Sequence, residues 1–320
     1  MQRMIFIFSL SRSGSTWLGK IFDSHPDVFY LHEPDIADRG LDLLPYWFED
    51  EPACAQVKAA RAYLDRLAGA RTARATGTRP FFRKRYRGSV SEQLRRALIY
   101  LAKGLERAGL LDSNHVEIPD FFRANHAMKT VVKSVTAHGR ANAFLKACAN
   151  ELQPILLLRD PRAYVSSMIR GTRMAVMEPP MRLGALLRTQ SALRIGLSPS
   201  SFGKQEEIET HAWTWLLANM EADAAIRAAG GTTVIYETLA NNVTTEVKSL
   251  FKQMRLNWAP ETERFVRLSA KHEGEYYSVF RDPARAANRW RDELSNDTIA
   301  RVRAIVTLDP IGQSYFRTDP

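Results

Sequence analysis

The chain has 320 residues, of which 45% are hydrophobic and 25% charged, as is ordinary for a soluble globular protein. Its formal net charge of +10 favours an anionic partner, whether a cofactor, an acidic glycan or nucleic acid, and does not choose among them. Two cysteines without metal-site spacing indicate neither a disulfide framework nor a zinc site, and no apolar run approaches the length of a membrane span.

The first predicted elements are a strand near residues 4–9, a glycine-containing turn and a helix near residues 15–24. The run of β-forming residues from Ile5 to Phe8 predicts the strand, and apolar residues that share one face predict the helix. This order leaves the backbone N–H groups of Ser13 to Thr16 at a helix N-terminus, where an anion such as phosphate is favoured. A purely structural strand-to-helix turn is the alternative interpretation.

The turn differs from the loop that binds nucleoside triphosphates, which has Gly, four residues and then Gly-Lys-Ser/Thr. Ser9 replaces the first glycine here, and Ser15 stands at the lysine position. Gly14 and Thr16 fit the pattern, and Arg12 places a cation inside the loop. Because the lysine that reaches the β and γ phosphates is absent, a triphosphate is a poor candidate ligand.

Further along the chain, predicted strands alternate with predicted helices. A short strand near 28–31 precedes a largely helical region at 50–110, which a basic stretch at 71–87 interrupts. Strands near 129–135, 154–158 and 232–236 follow, with helices near 206–229, 243–254, 261–271 and 296–307. This alternation predicts an α/β fold with a P-loop-like parallel sheet flanked by helices. We expect a single domain over residues 1–320, with a largely helical, basic insertion at about 45–125.

Residues 155–170 predict a second anion site. The apolar run at 155–158 suits a central parallel strand, and Asp160-Pro161 is a typical helix start. Arg159 then lies at the carboxyl end of a strand, where open α/β sheets bind ligands. Ser167 follows about two helical turns later, and an arginine with a hydroxyl suits a phosphate monoester. A surface ion pair is the alternative for Arg159 alone.

Together these motifs resemble those of sulfotransferases that use 3′-phosphoadenosine-5′-phosphosulfate (PAPS). The family's 5′-phosphosulfate loop is matched by Ser11, Arg12, Ser13, Gly14, Ser15 and Thr16, with Trp17 directly after it. Its 3′-phosphate element is matched by Arg159-Asp160-Pro161-Arg162 through Ser167. Weaker matches are Tyr236, at the position of a tyrosine beside the adenine, and a C-terminal cofactor-binding region containing Arg281, Arg289 and Trp290. The residues of the two main motifs are closer to those of carbohydrate sulfotransferases than to those of phenol-type enzymes.

The resemblance implies transfer of a sulfuryl group from PAPS to an acceptor hydroxyl on a carbohydrate or another small or glycan substrate. The product would be 3′-phosphoadenosine 5′-phosphate (PAP). No metal is expected, because the 5′ group carries one phosphate and one sulfate. Arg12 occupies the position of a lysine that helps the leaving oxygen in phenol-type enzymes, so we predict a catalytic role for it.

The predicted base is Glu33, which follows the second strand and precedes Pro34. Glu-Pro at this place resembles carbohydrate sulfotransferases, where the glutamate is a proposed base; a loop carboxylate paired with an arginine is the alternative. His32 is the neighbouring candidate, with its side chain expected to point away from that of Glu33 if the strand continues. His138, past another strand end, ranks below both, and the role of Lys133 stays open.

Several alternatives stay open at this stage. The basic stretch at 71–87 contains seven basic and no acidic residues, and fits a solvated loop, a nucleic-acid contact or a docking surface for the acceptor, which we favour. No nucleic-acid-binding fold signature accompanies it, so nucleic acid is not the expected partner. Trp17 and Trp290 also fit packing roles. A P-loop phosphotransferase and a non-catalytic polyanion-binding protein of the same fold are the competing functions.

The first predicted strand begins within a few residues of Met1, which leaves no room for a signal peptide. Many animal carbohydrate sulfotransferases carry an N-terminal Golgi anchor, and this sequence shows none. We therefore expect a cytoplasmic, bacterial enzyme. The acceptor's identity and the oligomeric state do not follow from the sequence.

Overall fold

The computed structural model describes residues 3–36, 41, 43–123, 127–148, 150–174, 183–200, 202–203, 205–269 and 282–316. Five parallel strands form one sheet in the order β2-β3-β1-β4-β5. They are β1 (Met4–Ser9), β2 (Val28–His32), β3 (Lys129–Ser134), β4 (Leu152–Leu158) and β5 (Thr232–Ile235). The predicted parallel α/β sheet is confirmed, and the carboxyl ends of all five strands share one edge.

Helices connect and cover the strands. The first eight are α1 (Ser15–Ser24), α2 (Cys54–Ala68), α3 (Ala73–Thr76), α4 (Ser89–Arg107), α5 (Ala141–Cys148), α6 (Pro161–Arg173), α7 (Leu183–Leu186) and α8 (Gln190–Arg194). The rest are α9 (Glu207–Ala228), α10 (Tyr236–Asn241), α11 (Val243–Gln253), α12 (Pro260–Ser269), α13 (Pro283–Asn288), α14 (Trp290–Glu293), α15 (Asn296–Val306) and α16 (Pro310–Gln313). The predicted strand at 232–236 is one residue too long, because Tyr236 already begins α10.

The central strand β1 separates two apolar cores. Ile5 and Ile7 face the core that includes residues of α1, α11 and α12, whereas Phe6 and Phe8 face the core built with α5 and α9. All four side chains are fully buried. Burial on both faces explains why the strand is a continuous apolar run rather than an alternating one.

Two predicted helix ends are found where the sequence places them. Helix α6 begins at Pro161, and the carboxylate of Asp160 accepts the Arg162 N–H at 2.8 Å. After α9, Gly230 adopts a φ of 66° and turns the chain into β5. The first cap fixes where α6 leaves the edge of the sheet.

Part of the basic stretch 71–87 belongs to the framework of the fold. Lys84 is buried, pairs with Asp23 at 2.9 Å and donates to the Val28 carbonyl at 2.9 Å. The guanidinium of Arg87 is buried and pairs with Glu92. The predicted docking surface is therefore wrong for Lys84 and Arg87, whose charges are used inside the protein.

No helix among the described residues is both long enough and apolar enough to cross a bilayer.

Candidate active site at the carboxyl edge of the sheet

The turn between β1 and α1 forms an anion-binding loop. Gly14 precedes α1 with a φ of 83°, and the first helical hydrogen bonds run from the N–H groups of Trp17 and Leu18 to the Gly14 carbonyl, at 3.0 and 3.2 Å. The N–H groups before these two are those that a helix leaves without an internal partner. The loop therefore offers main-chain donors and the positive end of a helix dipole to an anion.

An aromatic ring lies directly against this loop. A Cβ atom on Gly14 would come within 2.2 Å of the Tyr236 ring, so glycine is needed both for this approach and for its positive φ. The rings of Tyr236 and Trp17 pack edge to face at 5.8 Å, and the Trp17 Nε1–H donates to Ser269 at 3.2 Å. Two of the three aromatic residues predicted to bind the cofactor, Trp17 and Tyr236, thus stand beside the loop.

The two predicted anion elements touch each other. Arg12 donates from Nε to the Ser167 hydroxyl at 3.0 Å, and Arg159 donates from Nη1 to the Arg12 carbonyl at 2.6 Å. The second Nη of Arg159 donates to the Ala286 carbonyl at 2.7 Å, and its guanidinium lies 5.1 Å from the centroid of the Tyr236 ring. The buried Nε of Arg159 has no partner among the described residues. The two elements therefore lie in direct contact at one edge of the sheet.

A residue without a predicted role supports the second element. The backbone N–H of Asp160 donates to the Glu237 carboxylate at 3.1 Å, which joins the start of α6 to α10. Burial, together with the Asp160 carboxylate, raises the pKa of Glu237 to about 7. Its position directly after Tyr236 was the available signal in the sequence.

Glu33 is the first residue after β2 and lies at the same edge. Its φ is 48°, its N–H donates to the Lys133 carbonyl at 2.7 Å, and its carboxylate forms an ion pair with the buried Lys133 ammonium. Burial, the largest single influence, would raise the pKa of Glu33, but the charge and hydrogen bond of Lys133, together with the nearby His32 and Arg74, outweigh it, so the pKa lies below that of an ordinary glutamate. Glu33 is therefore ionised at neutral pH.

His32 lies closer to Glu33 than alternation along a strand predicts. Its Nε2 is 4.0 Å from the Glu33 carboxylate, because β2 ends at His32 and the positive φ of Glu33 redirects the chain. The prediction that the two side chains diverge is therefore wrong. Burial and the nearby Lys133 charge lower the pKa of His32 to about 3, and its Nδ1 hydrogen bonds with the Tyr30 hydroxyl at 2.9 Å.

His138 lies inside the protein, where its ring contacts other side chains. It is buried, its Nε2 lies 3.1 Å from the side-chain oxygen of Asn219, and burial lowers its pKa to about 4. Its place among the candidate bases is below that of Glu33.

The C-terminal residues predicted to bind the cofactor have different positions. Arg281 lies outside the described residues. Arg289 pairs with Glu293 at 2.6 Å, whereas Trp290 is buried with the guanidinium of Arg162 4.1 Å from its ring centroid. Trp290 thus has the packing role that the sequence left as an alternative.

Arg170 completes the group of cations and was not selected from the sequence. It stands one helical turn after Ser167 on α6, and its Nη2 lies 3.4 Å from that hydroxyl. The spacing of three residues within the second motif was the available signal.

With this geometry established, comparisons with known proteins identify the family. The model of the sulfotransferase family matches residues 4–260. The chain belongs to the sulfotransferase family. The enzyme is thus a sulfotransferase, in agreement with the resemblance of its two anion motifs.

The sulfotransferase is also similar to several solved structures. Mouse sulfotransferase SULT7A1, complexed with PAP, is 8% identical with a TM-score of 0.48; the match covers 100% of this chain and 90% of that one. The sulfotransferase domain of the Synechococcus PCC 7002 olefin synthase is 16% identical with a TM-score of 0.45, covering 94% and 93%. STF9 from Mycobacterium avium is 12% identical with a TM-score of 0.44, covering 95% and 75%. No significant match was found among curated protein sequences.

Proposed function

We propose that this sulfotransferase moves a sulfuryl group from PAPS to a hydroxyl of a carbohydrate acceptor. The observation that supports this most strongly is the direct contact between the two anion elements, through Arg12 with Ser167 and Arg159 with the Arg12 carbonyl. A donor with phosphates at both its 5′ and 3′ ends needs two such elements side by side. A nucleoside triphosphate needs only the first, together with the lysine that Ser15 replaces.

The residues present fit this donor. The loop N–H groups and Arg12 suit the 5′-phosphosulfate, and the Nε of Arg159, to which no described residue hydrogen bonds, together with Ser167 suits the 3′-phosphate. Tyr236 stands where the family that the motifs resemble has a tyrosine beside the adenine, and its buried ring packs against Trp17 and Gly14 of the loop. When bound, PAPS supplies the activated sulfuryl group.

The chemistry requires a base for the acceptor and positive charge for the leaving group. The acceptor oxygen forms a bond to sulfur as the bond from sulfur to the bridging phosphate oxygen breaks, and the acceptor proton passes to the Glu33 carboxylate. Arg12 and the loop N–H groups stabilise the negative charge that develops on the bridging oxygen. Lys133 orients Glu33 and keeps it ionised until the acceptor arrives.

The sheet order supports a place for the acceptor between Glu33 and the loop after β1. β2 and β1 are separated by β3, and neighbouring strands are about 4.8 Å apart, so Glu33 and the loop after β1 stand about 10 Å apart along the edge. That gap suits an acceptor hydroxyl and a sulfuryl group placed between base and loop. The net charge of +10 suits an acidic glycan as acceptor.

The test is sulfuryl transfer from ³⁵S-labelled PAPS to pooled acceptors: acidic glycans, neutral sugars, phenols and lipids. The wild-type enzyme should label a carbohydrate pool. Glu33→Gln should lower the rate by about 10²- to 10⁴-fold with PAP affinity preserved, because only the positioned base is lost. Glu261→Gln, a change of an exposed glutamate on α12, is the control and should leave the rate unaltered.

Each other outcome assigns a different function. Near wild-type transfer by Glu33→Gln would remove Glu33 from the mechanism. Tight PAP binding without transfer to any pool would favour a polyanion-binding protein. Preference for ATP with magnesium over PAP would favour a phosphotransferase.

A further inference from the structure

A carboxylate lies among the cations of the second anion element. One oxygen of Glu293 accepts hydrogen bonds from the Ser166 hydroxyl and from Arg170, and the other accepts from Arg289 Nε at 2.6 Å. The donors come from two segments, α6 and the turn before α14. Within the described residues, Glu293 is thus the acid that joins these two segments.

Two of these donors are neighbours of the proposed phosphate site. Ser166 and Arg170 flank Ser167 on α6, and the Arg170 Nη2 lies 3.4 Å from the Ser167 hydroxyl. Arg289 belongs to the C-terminal motif that resembles a cofactor-binding region. A hydroxyl with two guanidinium groups is a typical set of phosphate ligands.

Glu293 is charged in this setting. Burial alone would raise its pKa, but the hydrogen bond from Ser166 and the guanidinium of Arg170 hold the pKa below that of an ordinary glutamate. Its side chain is 25% exposed, so an incoming anion and water can both reach it. Two anions cannot share these donors without repulsion.

We propose that Glu293 stands in for the 3′-phosphate in the cofactor-free enzyme and competes with it for Arg170 and Arg289. Binding of PAPS or PAP displaces the carboxylate, which returns to the guanidinium groups when PAP leaves. The carboxylate therefore keeps the site ordered between turnovers and weakens the hold on the product. This inference rests on the proposed use of PAPS.

The test compares two nucleotides by calorimetric titration of the full chain. PAP carries the 3′-phosphate, and adenosine 5′-monophosphate (5′-AMP) lacks it. Glu293→Gln should tighten PAP binding by about fivefold or more, because a like charge is removed from the phosphate site. The affinity for 5′-AMP should stay within about twofold. Asp292→Asn, one residue away and exposed, removes the same charge and should change both affinities by less than about twofold.

The possible failures are distinguishable. Unchanged or weaker PAP binding by Glu293→Gln, or equal tightening of PAP and 5′-AMP, overturns the competition while leaving PAPS as the donor. Absence of PAP binding by the wild-type enzyme overturns the donor and the competition together. If Glu293→Gln lowers the melting temperature strongly, Glu293→Ala is titrated in its place, with the same expected selectivity for PAP.

Discussion

Two residues of the candidate site have backbone conformations that side chains rarely adopt. Arg12 has a φ of 66° and Glu33 a φ of 48°. Such conformations cost about 1–3 kcal/mol each and persist when surrounding contacts fix them. Arg159 and Ser167 hold Arg12, and Lys133 holds Glu33. These are also the two residues to which the proposed mechanism assigns chemistry: Arg12 stabilises the leaving group, and Glu33 accepts the acceptor's proton.

The ion pair between Lys133 and Glu33 sets a pH dependence. With Lys133→Met, the burial that raises the pKa of Glu33 is no longer outweighed, so that pKa should rise. The acid limb of the kcat/KM profile should therefore shift to higher pH, because Glu33 must be ionised to accept a proton. The measurement is kcat/KM for sulfuryl transfer across a pH series.

Lys129→Met is the matched control for that series. Lys129 begins β3, at the end opposite Lys133, and donates to the Met254 carbonyl at 2.7 Å. Its loss should leave the acid limb in place. An acid limb that does not move in Lys133→Met would show that Glu33 is not the titrating base.

The sequence predicted which residues form the site better than it predicted which of them contact one another. Local motifs single out Arg12, Ser167 and Arg159, because loop and helix-start chemistry is encoded within a few residues. Their mutual contacts depend on how β1 and β4 pair, which no local pattern contains. The position of Glu293 depends likewise on how α14 meets α6, and so lies beyond motif spacing.

At the scale of elements, the basic stretch shows how composition differs from placement. A run of arginines and lysines predicts a solvated or ligand-facing surface, yet Lys84 points into the protein. It meets a carboxylate and three carbonyls between α1 and β2, which satisfies all of its donors. Arg83 and Arg85, by contrast, are exposed. Tertiary packing, and not the composition of the stretch, therefore decides which of its side chains are buried.

Substitution of these residues one at a time separates the two roles. Lys84→Ala should lower the free energy of unfolding by about 1–3 kcal/mol, because the buried carbonyls that accept from Lys84 lose their donor, while Lys20 still pairs with Asp23. Arg83→Ala should change it by less than about 0.5 kcal/mol, as for other surface positions. Urea unfolding measures both. Equal stabilities of the two variants would contradict the assignment of Lys84 to the framework.

Element boundaries followed from the sequence where a strong local signal exists. The Asp160-Pro161 cap sets the start of α6, and the glycines after α9 set the end of that helix. Each signal lies within a few residues of the helix end that it determines. The end of β2 was less predictable, because the positive φ of Glu33 is imposed by Lys133 from the adjacent strand. This long-range contact is why the orientation of His32 was mispredicted.

For the whole molecule, the order of the strands brings the site together. β1 is central, with β3 carrying Lys133 on one side and β4 leading to Arg159 on the other. Parallel pairing was predictable from alternating strands and helices, whereas the order β2-β3-β1-β4-β5 depends on tertiary packing. We propose that the helical segment at about 45–125 is an insertion in a single domain, between β2 and β3 in the chain.

The measurement that tests the central claim most directly is a competitive titration of the wild-type enzyme with PAP, 5′-AMP and ATP with magnesium. Two anion elements in direct contact predict that PAP binds at least about tenfold more tightly than 5′-AMP, since the second phosphate gains charge-assisted hydrogen bonds. ATP with magnesium should bind more weakly than PAP, because Ser15 replaces the lysine of a triphosphate loop. Equal affinities for PAP and 5′-AMP, or a preference for ATP with magnesium, would contradict the account.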